Sequence, residues 1–265
     1  MNFQELLDAQ RTGQLAGLPE DWGQGRTLFG GMMAALLLDA MRQQVPAERC
    51  LRALSISFIA PAALGQGMQV EVELLREGRA VSQLLARASQ DGQVVALMQG
   101  SFGASRLSQV QVAALPAPSF KTAEVCQRMP WLPGITPNFT QHFDMRWAVG
   151  GLPFSGNLSR EMGGWVSFAD AQLADQRLDE CHLLGLVDAW PPALLPHLKA
   201  PAAGSSLTWT IEFMQPLQVC AANSRFAYLA TIEHAADGYG HVAAGLWDSQ
   251  GRQVAISRQT VTVFA

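Results

Sequence analysis

Residues 182–216 run HLLGLVDAWPPALLPHLKAPAAGSSLTWTIEFMQP. The first nine have the apolar density of a buried helix, interrupted by one carboxylate, Asp188. A Pro-rich connection follows, and then a strand. On that strand, period-2 alternation predicts Leu207, Trp209, Ile211 and Phe213 on one face and Ser206, Thr208, Thr210 and Glu212 on the other. An acid in an apolar helix is costly to bury unless a partner meets it. The hydroxyl-bearing face of the next element is a candidate partner.

The first half of the chain carries the same design. A helix opens at Gly30-Gly31, runs through MMAALLLDAMRQQV and stops at Pro46. Two glycines at its mouth leave the first backbone N–H groups open to an acceptor oxygen. They equally suit a tight turn with close helix–strand packing. Leu54, Ile56, Phe58 and Ala60 then alternate with Ser55 and Ser57, and QVEVELLREGRAVSQLLARASQDGQVVALMQGSFG reads as three strands joined by two turns. Before the helix lie a short helical start, FQELLDAQ, and a stretch with room for one strand around Gly13 to Trp22. Residues 105–135 are Pro- and Ala-rich and read as a linker between units at 1–104 and 136–265, with a short helix expected around Thr122 to Arg128. The second unit begins with FTQHFDMRWAV and MGGWVSFAD as strands, places its helix at LDECHLLGLVDAW, and ends in a four-strand meander.

The two halves superpose. Leu54-Ser-Ile-Ser-Phe-Ile-Ala-Pro61 set against Trp209-Thr-Ile-Glu-Phe-Met-Gln-Pro216 matches Ile56 with Ile211, Phe58 with Phe213 and Pro61 with Pro216. Asp91-Gly92-Gln93-Val94-Val95-Ala96-Leu97 then meets Gln250-Gly251-Arg252-Gln253-Val254-Ala255-Ile256. Shared strand, proline and Gly-turn positions point to a tandem duplication of one α+β unit, a buried helix wrapped by an antiparallel sheet.

Composition bounds the rest. The 265 residues are 49% apolar and 15% charged, with a net charge of −4, which gives no reason to expect nucleic acid as a partner. Cys50, Cys126, Cys181 and Cys220 are scattered, as reduced thiols of a cytosol are. MNFQELLDAQ lacks the pattern of a signal peptide, and the longest apolar run, MMAALLL, is too short for a bilayer. The expectation is a soluble, cytoplasmic protein with no membrane partner.

A long apolar helix after a Gly-Gly mouth, wrapped by a meander and duplicated in one chain, resembles the double hotdog acyl-CoA thioesterases, the TesB-like or type II group. The resemblance covers about residues 10–265 and is carried by LFGG at Leu28–Gly31, HLLGLVDAW, SSLTWTIEFMQPL and VAISRQTV. It implies hydrolysis of fatty acyl-CoA to free acid and CoA by a water held between an aspartate, a hydroxyl and a glutamine. Carried over by position, the aspartate falls on Asp188. The hydroxyl, seven positions before the strand's Phe213, falls on Ser206, with Ser205 adjacent. The glutamine falls on Gln259. The family commonly has threonine where this chain has Ser206. The resemblance also implies a homodimer or larger assembly, with no cofactor beyond the CoA of the substrate.

Those residue types suit the chemistry. A carboxylate in an apolar helix has its pKa raised by desolvation and can accept a proton from water. A hydroxyl and an amide both donate and accept, so they can fix the water's remaining hydrogen bonds. By pseudo-symmetry, the oxyanion is placed at the N–H groups of Gly30 and Gly31. Each residue also has a plain structural reading: Asp188 as an acid reaching solvent, Ser206 and Gln259 as ordinary strand residues. Gln259 answers to Gly100 by count, or to Gln99 one position off. Asp39 in the first-half helix is the acid that could mirror Asp188, but with no clean hydroxyl-and-Gln set beside it in the first half it reads as a structural acid. Gln99-Gly-Ser-Phe-Gly103 misses the first glycine of a nucleophile elbow. Gly23-Gln-Gly25 lacks the rest of a dinucleotide fingerprint, and the five histidines form no metal-binding spacing. Cys181 and His182 are helix neighbours pointing about 100° apart, so they read as core rather than a nucleophile pair. Two alternatives to the hydrolase stay open: a non-catalytic acyl-CoA sensing module, and a dehydratase or hydratase, which needs a histidine–acid pair at a helix mouth. How Met32, Met33 and Trp190 pack sets the acyl length.

Overall fold

The computed structural model describes residues 1–264. Its helices are α1 (Phe3–Arg11), α2 (Gly30–Arg42) and α3 (Glu180–Asp188). The strands are β1 (Gly23–Gln24), β2 (Thr27–Leu28), β3 (Cys50–Phe58), β4 (Gln69–Glu77), β5 (Val81–Gln90), β6 (Gln93–Gly103), β7 (Gln127–Arg128), β8 (Phe143–Val149), β9 (Glu161–Phe168), β10 (Ala203–Phe213), β11 (Phe226–Ala236), β12 (Tyr239–Trp247) and β13 (Gln253–Phe264).

α2 has no β-branched residue, and its Met32 to Leu38 run is buried throughout. α3 is buried on every side from Glu180 to Val187, its apolar Leu183 to Val187 run filling the core. It starts at a capping box, where Asp179 accepts from the His182 N–H, and it ends just before Pro191-Pro192. The two helices lie against each other so closely that a Cβ on Gly31 would stand 3.0 Å from the Leu184 carbonyl oxygen. Any larger residue at Gly31 would force them apart. α1 covers this pair from one side, burying Phe3, Leu6 and Leu7.

Both meanders join in one antiparallel sheet of eleven strands, ordered β4-β5-β6-β3-β10-β13-β12-β11-β9-β8-β7. The seam is β3 against β10, with Ile56 opposite Trp209, Ser55 opposite Thr210 and Leu54 opposite Ile211. Under the sequence repeat Ser55 corresponds to Thr210, so equivalent residues face each other and a pseudo-twofold axis passes between them. The neighbouring registers agree: Ile56 pairs with Met98 where Ile211 pairs with Ser257, and Leu54 pairs with Gly100 where Trp209 pairs with Gln259. The chain has the α+β double hotdog architecture, two wrapped helices under one continuous sheet.

Three local expectations are corrected. No strand forms over Gly13 to Trp22; a turn and a 3-10 turn (Glu20–Trp22) lead into the two-residue β1 and β2. The helix around Thr122 to Arg128 is a 3-10 turn, Ala123–Val125, followed by β7, because the segment is too short to nucleate an α-helix. On β10 the alternation breaks at a bulge between Ser206 and Thr208. The extra residue leaves Leu207 exposed and turns Ser206 onto the inner side with Trp209.

Candidate active site

The site lies where α3 ends against the beginning of α2. Phe29, the residue before α2, offers no side-chain cap, so the first N–H groups of α2 need an acceptor from elsewhere. Asp188, the last residue of α3, supplies it. Its carboxyl lies near enough to the Gly31 N–H for that donor to lower its pKa, and a Cβ on Gly30 would stand 2.7 Å from Asp188 Oδ2 and 3.2 Å from the Phe58 ring. The glycines thus let a carboxylate approach the backbone of a helix start, and the positive end of α2 offsets the unfavourable negative end of α3.

On the other side of the carboxyl, Gln259 Nε2 donates to Asp188 Oδ1 at 2.8 Å. Ser206 Oγ donates to Gln259 Oε1 at 3.2 Å. Gln259 points inward because it pairs with the fully buried Trp209, and directly opposed residues share a face. Ser206 reaches it only through the bulge. Ser205 stays outside, exposed, its hydroxyl donating to the Ser206 carbonyl at 3.4 Å. The structure therefore brings Asp188, Gln259, Ser206, Gly30 and Gly31 together in one chain of contacts.

Burial raises the Asp188 carboxyl from its usual range to about 7, against the lowering effects of the Gln259 amide and the Gly31 N–H. Near neutral pH the group is therefore poised between accepting and releasing a proton. Tyr228, which sequence reasoning did not single out, stands close enough that the Asp188 charge adds to burial in raising its phenol pKa. Its ring stacks on Trp190 at 5.1 Å, and both residues line a cavity of about 20 Å³ beside Gln259. Met32 and Met33 are core residues instead. The signal for Tyr228 was its alternation with Phe226, Ala230 and Ile232 on β11, which marks an inward face but not a site.

Asp39 does not mirror Asp188. It is 2% exposed and takes an ion pair from Arg11, whose Nε donates to both carboxyl oxygens at 2.9 Å. The first-half position opposite Leu54 is Gly100, and Met41 and Phe102 fill the space a side chain would need. The pseudo-twofold axis therefore relates one built site to one packed with apolar groups. A histidine–acid pair does stand at a helix start, His182 with Asp179 at 2.7 Å, but at the opposite end of α3 from Asp188. His182 is 1% exposed under Phe3 and Phe168, and the half-buried Asp179 caps the helix. Cys181 is also buried, its thiol donating to the Ala35 carbonyl. Among the described residues no group of three or more His, Cys, Asp or Glu could hold a metal, and no helix is long and apolar enough to cross a membrane. A larger open depression of about 400 Å³ beside Arg128, Pro130, Trp131 and Gln141 contains none of the site residues.

Comparison with known proteins agrees with this architecture. Residues 18–103 match the model of the acyl-CoA thioesterase N-terminal domain, and residues 123–263 match that of the C-terminal domain. The chain is 25% identical to acyl-CoA thioesterase 2 of Haemophilus influenzae, over 97% of this chain and 95% of that protein. Among solved structures, a hot dog fold protein of Alicyclobacillus acidocaldarius superposes with a TM-score of 0.80 at 22% identity, covering 94% of this chain and 92% of that one. An acyl-CoA thioesterase II of Mycobacterium marinum superposes with a TM-score of 0.71 at 19% identity, covering 89% of each chain. With both domains of the family in tandem in one polypeptide, the chain belongs to the acyl-CoA thioesterases.

Proposed function

We propose that this thioesterase hydrolyses acyl-CoA to the free acid and CoA through a water activated by Asp188. The observation that carries the reading is the contact chain Ser206–Gln259–Asp188 ending at the mouth of α2, with the carboxyl held at about 7. Asp188 takes a proton from the water, whose oxygen attacks the thioester carbonyl carbon. Gln259 and Ser206 orient that water and the carboxylate. The Gly30-Gly31 backbone donors, turned from the carboxyl once Asp188 has taken the water's proton, stabilise the negative charge that develops on the carbonyl oxygen. When the carbon–sulfur bond breaks, the proton on Asp188 passes to the leaving thiolate, and acid and thiol result. The same reading carries the division into residues 1–104, 105–135 and 136–265, a homodimer or larger assembly, and action in the cytoplasm.

Thiol release from a panel of acyl-CoA esters tests the proposal. Asp188→Asn is expected to lower kcat by about 100-fold or more, as for loss of a general base. Equal turnover in both proteins would remove Asp188 from the mechanism. Binding of the esters with no turnover by the wild type would replace the hydrolase with the sensing module.

A further inference from the structure

The registers of β11, β12 and β13 lay out rows of inward side chains below the end of α3. The row of Gln259 contains Val242 and Ile232. The next row toward the core is Ser257, Ala244 and Ala230, all small. The row after that is Ala255, Leu246 and Tyr228. The cavity of about 20 Å³ adjoins Gln259 and lies over the small-residue row, bounded by Val187, Pro191 and Pro192 from the α3 side. Small side chains leave this space, and Tyr228 ends it. Its ring is held in place by Trp190 at 5.1 Å, which in turn packs on Trp147 at 4.6 Å. A tyrosine stacked on Trp190, with Trp147 packed behind it, cannot swing aside as a methionine or leucine would.

Resting on the thioesterase reading, we propose that the acyl group enters over the Ser257–Ala244 row and that Tyr228, braced by Trp190, closes the far end, making this an enzyme for short acyl groups. The rows of Gln259 and Tyr228 are two inward steps, about 14 Å, apart, and the half-widths of the side chains at the two ends leave about 8 Å between them, room for a chain of about four carbons. The substrate class is therefore acyl-CoA with about two to four acyl carbons rather than the fatty esters the family resemblance implies.

Two measurements separate this inference from the reading it rests on. The first is binding of acetyl-, butyryl-, octanoyl- and lauroyl-CoA to Asp188→Asn by titration calorimetry, where the esters remain intact. The second is thiol release from the same four esters by the wild type, Tyr228→Ala and Ala244→Leu, with thermal melts confirming that each is folded. Acetyl- and butyryl-CoA are expected to bind tightest, and kcat/KM is expected to fall about 100-fold or more from butyryl to octanoyl. Tyr228→Ala should regain about 10-fold or more of the octanoyl rate relative to butyryl. Ala244→Leu should narrow the preference to acetyl, and this variant decides the matter if Tyr228→Ala does not fold. Octanoyl- or lauroyl-CoA bound or cleaved as well as butyryl-CoA overturns the inference, as does an unchanged length profile in a folded variant. Absence of thiol release from all four esters overturns the hydrolase reading alone, because binding to Asp188→Asn still measures the pocket.

Discussion

At the scale of the residue, the proposed mechanism turns on the protonation of Asp188. Only its ionised form can accept a proton, so kcat/KM should rise with pH along an acidic limb centred near 7, the value to which burial lifts the carboxyl. The Gln259 amide holds that value down. Gln259→Leu should therefore move the limb to higher pH as well as lowering the plateau, a shift that a merely structural glutamine would not give. The sign of the stability effect follows from the same group. A carboxyl whose folded pKa is raised from 3.8 to about 7 binds its proton more tightly in the native state. Its contribution is fully present below pH 4 and is lost as pH rises through 7. Asp188→Asn should thus melt higher than wild type at pH 8, by up to about 4 kcal/mol, with the difference vanishing near pH 4. The comparison is made by thermal or urea unfolding at the two pH values.

At the scale of the element, the two acids of the repeated helices have diverged because of what each helix packs against. Asp188 stands at the end of α3 and meets a glycine-opened helix start, where no cation is present to hold it ionised. Asp39 stands one turn before the end of α2 and meets Arg11 of α1, which has no counterpart in the second half. The pair ties α1 to α2, and Arg11→Met would leave a buried carboxylate unpaired. Unfolding experiments should find a loss of about 2–3 kcal/mol, below that of a fully enclosed pair because the Arg11 side chain is 41% exposed. The acidic limb of kcat/KM should stay where it is. A limb displaced by Arg11→Met would mean that Asp39 takes part in the proton transfer after all. The β10 bulge is the other element-scale device: one extra residue exchanges the faces of Leu207 and Ser206 and so delivers a hydroxyl to Gln259.

At the scale of the molecule, the seam between β3 and β10 makes the two halves one structure. Each is a central strand, flanked on its other side by β6 or β13, so separating the halves would expose an unpaired edge with Leu54, Ile56, Trp209 and Ile211 beside it. It would also strip α2 from α3 and remove the donors facing Asp188. Residues 1–104 and 105–265 produced separately should be poorly soluble and inactive, and refolding them together should restore thiol release. A 105–265 fragment that hydrolyses acyl-CoA alone would show that the Gly30-Gly31 mouth is dispensable.

Several features were legible in the sequence because they depend on local order. Periodicity gave the long helices and the meanders, and matching strand, proline and Gly-turn positions gave the duplication and hence the pseudo-twofold axis. Asp188 stood out as a single carboxylate in an apolar helix, while Ser206 and Gln259 were placed by family resemblance. What tertiary structure alone decided was which distant groups meet. Strict alternation put Ser206 on the wrong face, since a bulge leaves no mark in the residue pattern. The sequence set Asp39 apart only by the missing hydroxyl-and-Gln set around it; the packing of α1 on α2 and of α3 on the mouth of α2 is what pairs one acid with Arg11 and leaves the other buried beside Gln259. The cavity lined by Tyr228 was equally invisible, because its size depends on registers between strands and on aromatic contacts among Trp147 of β8, Trp190 after α3 and Tyr228 of β11. Local sequence sets the elements through short-range sterics and burial periodicity, whereas pKa values and pocket dimensions are fixed by contacts between residues far apart in the chain.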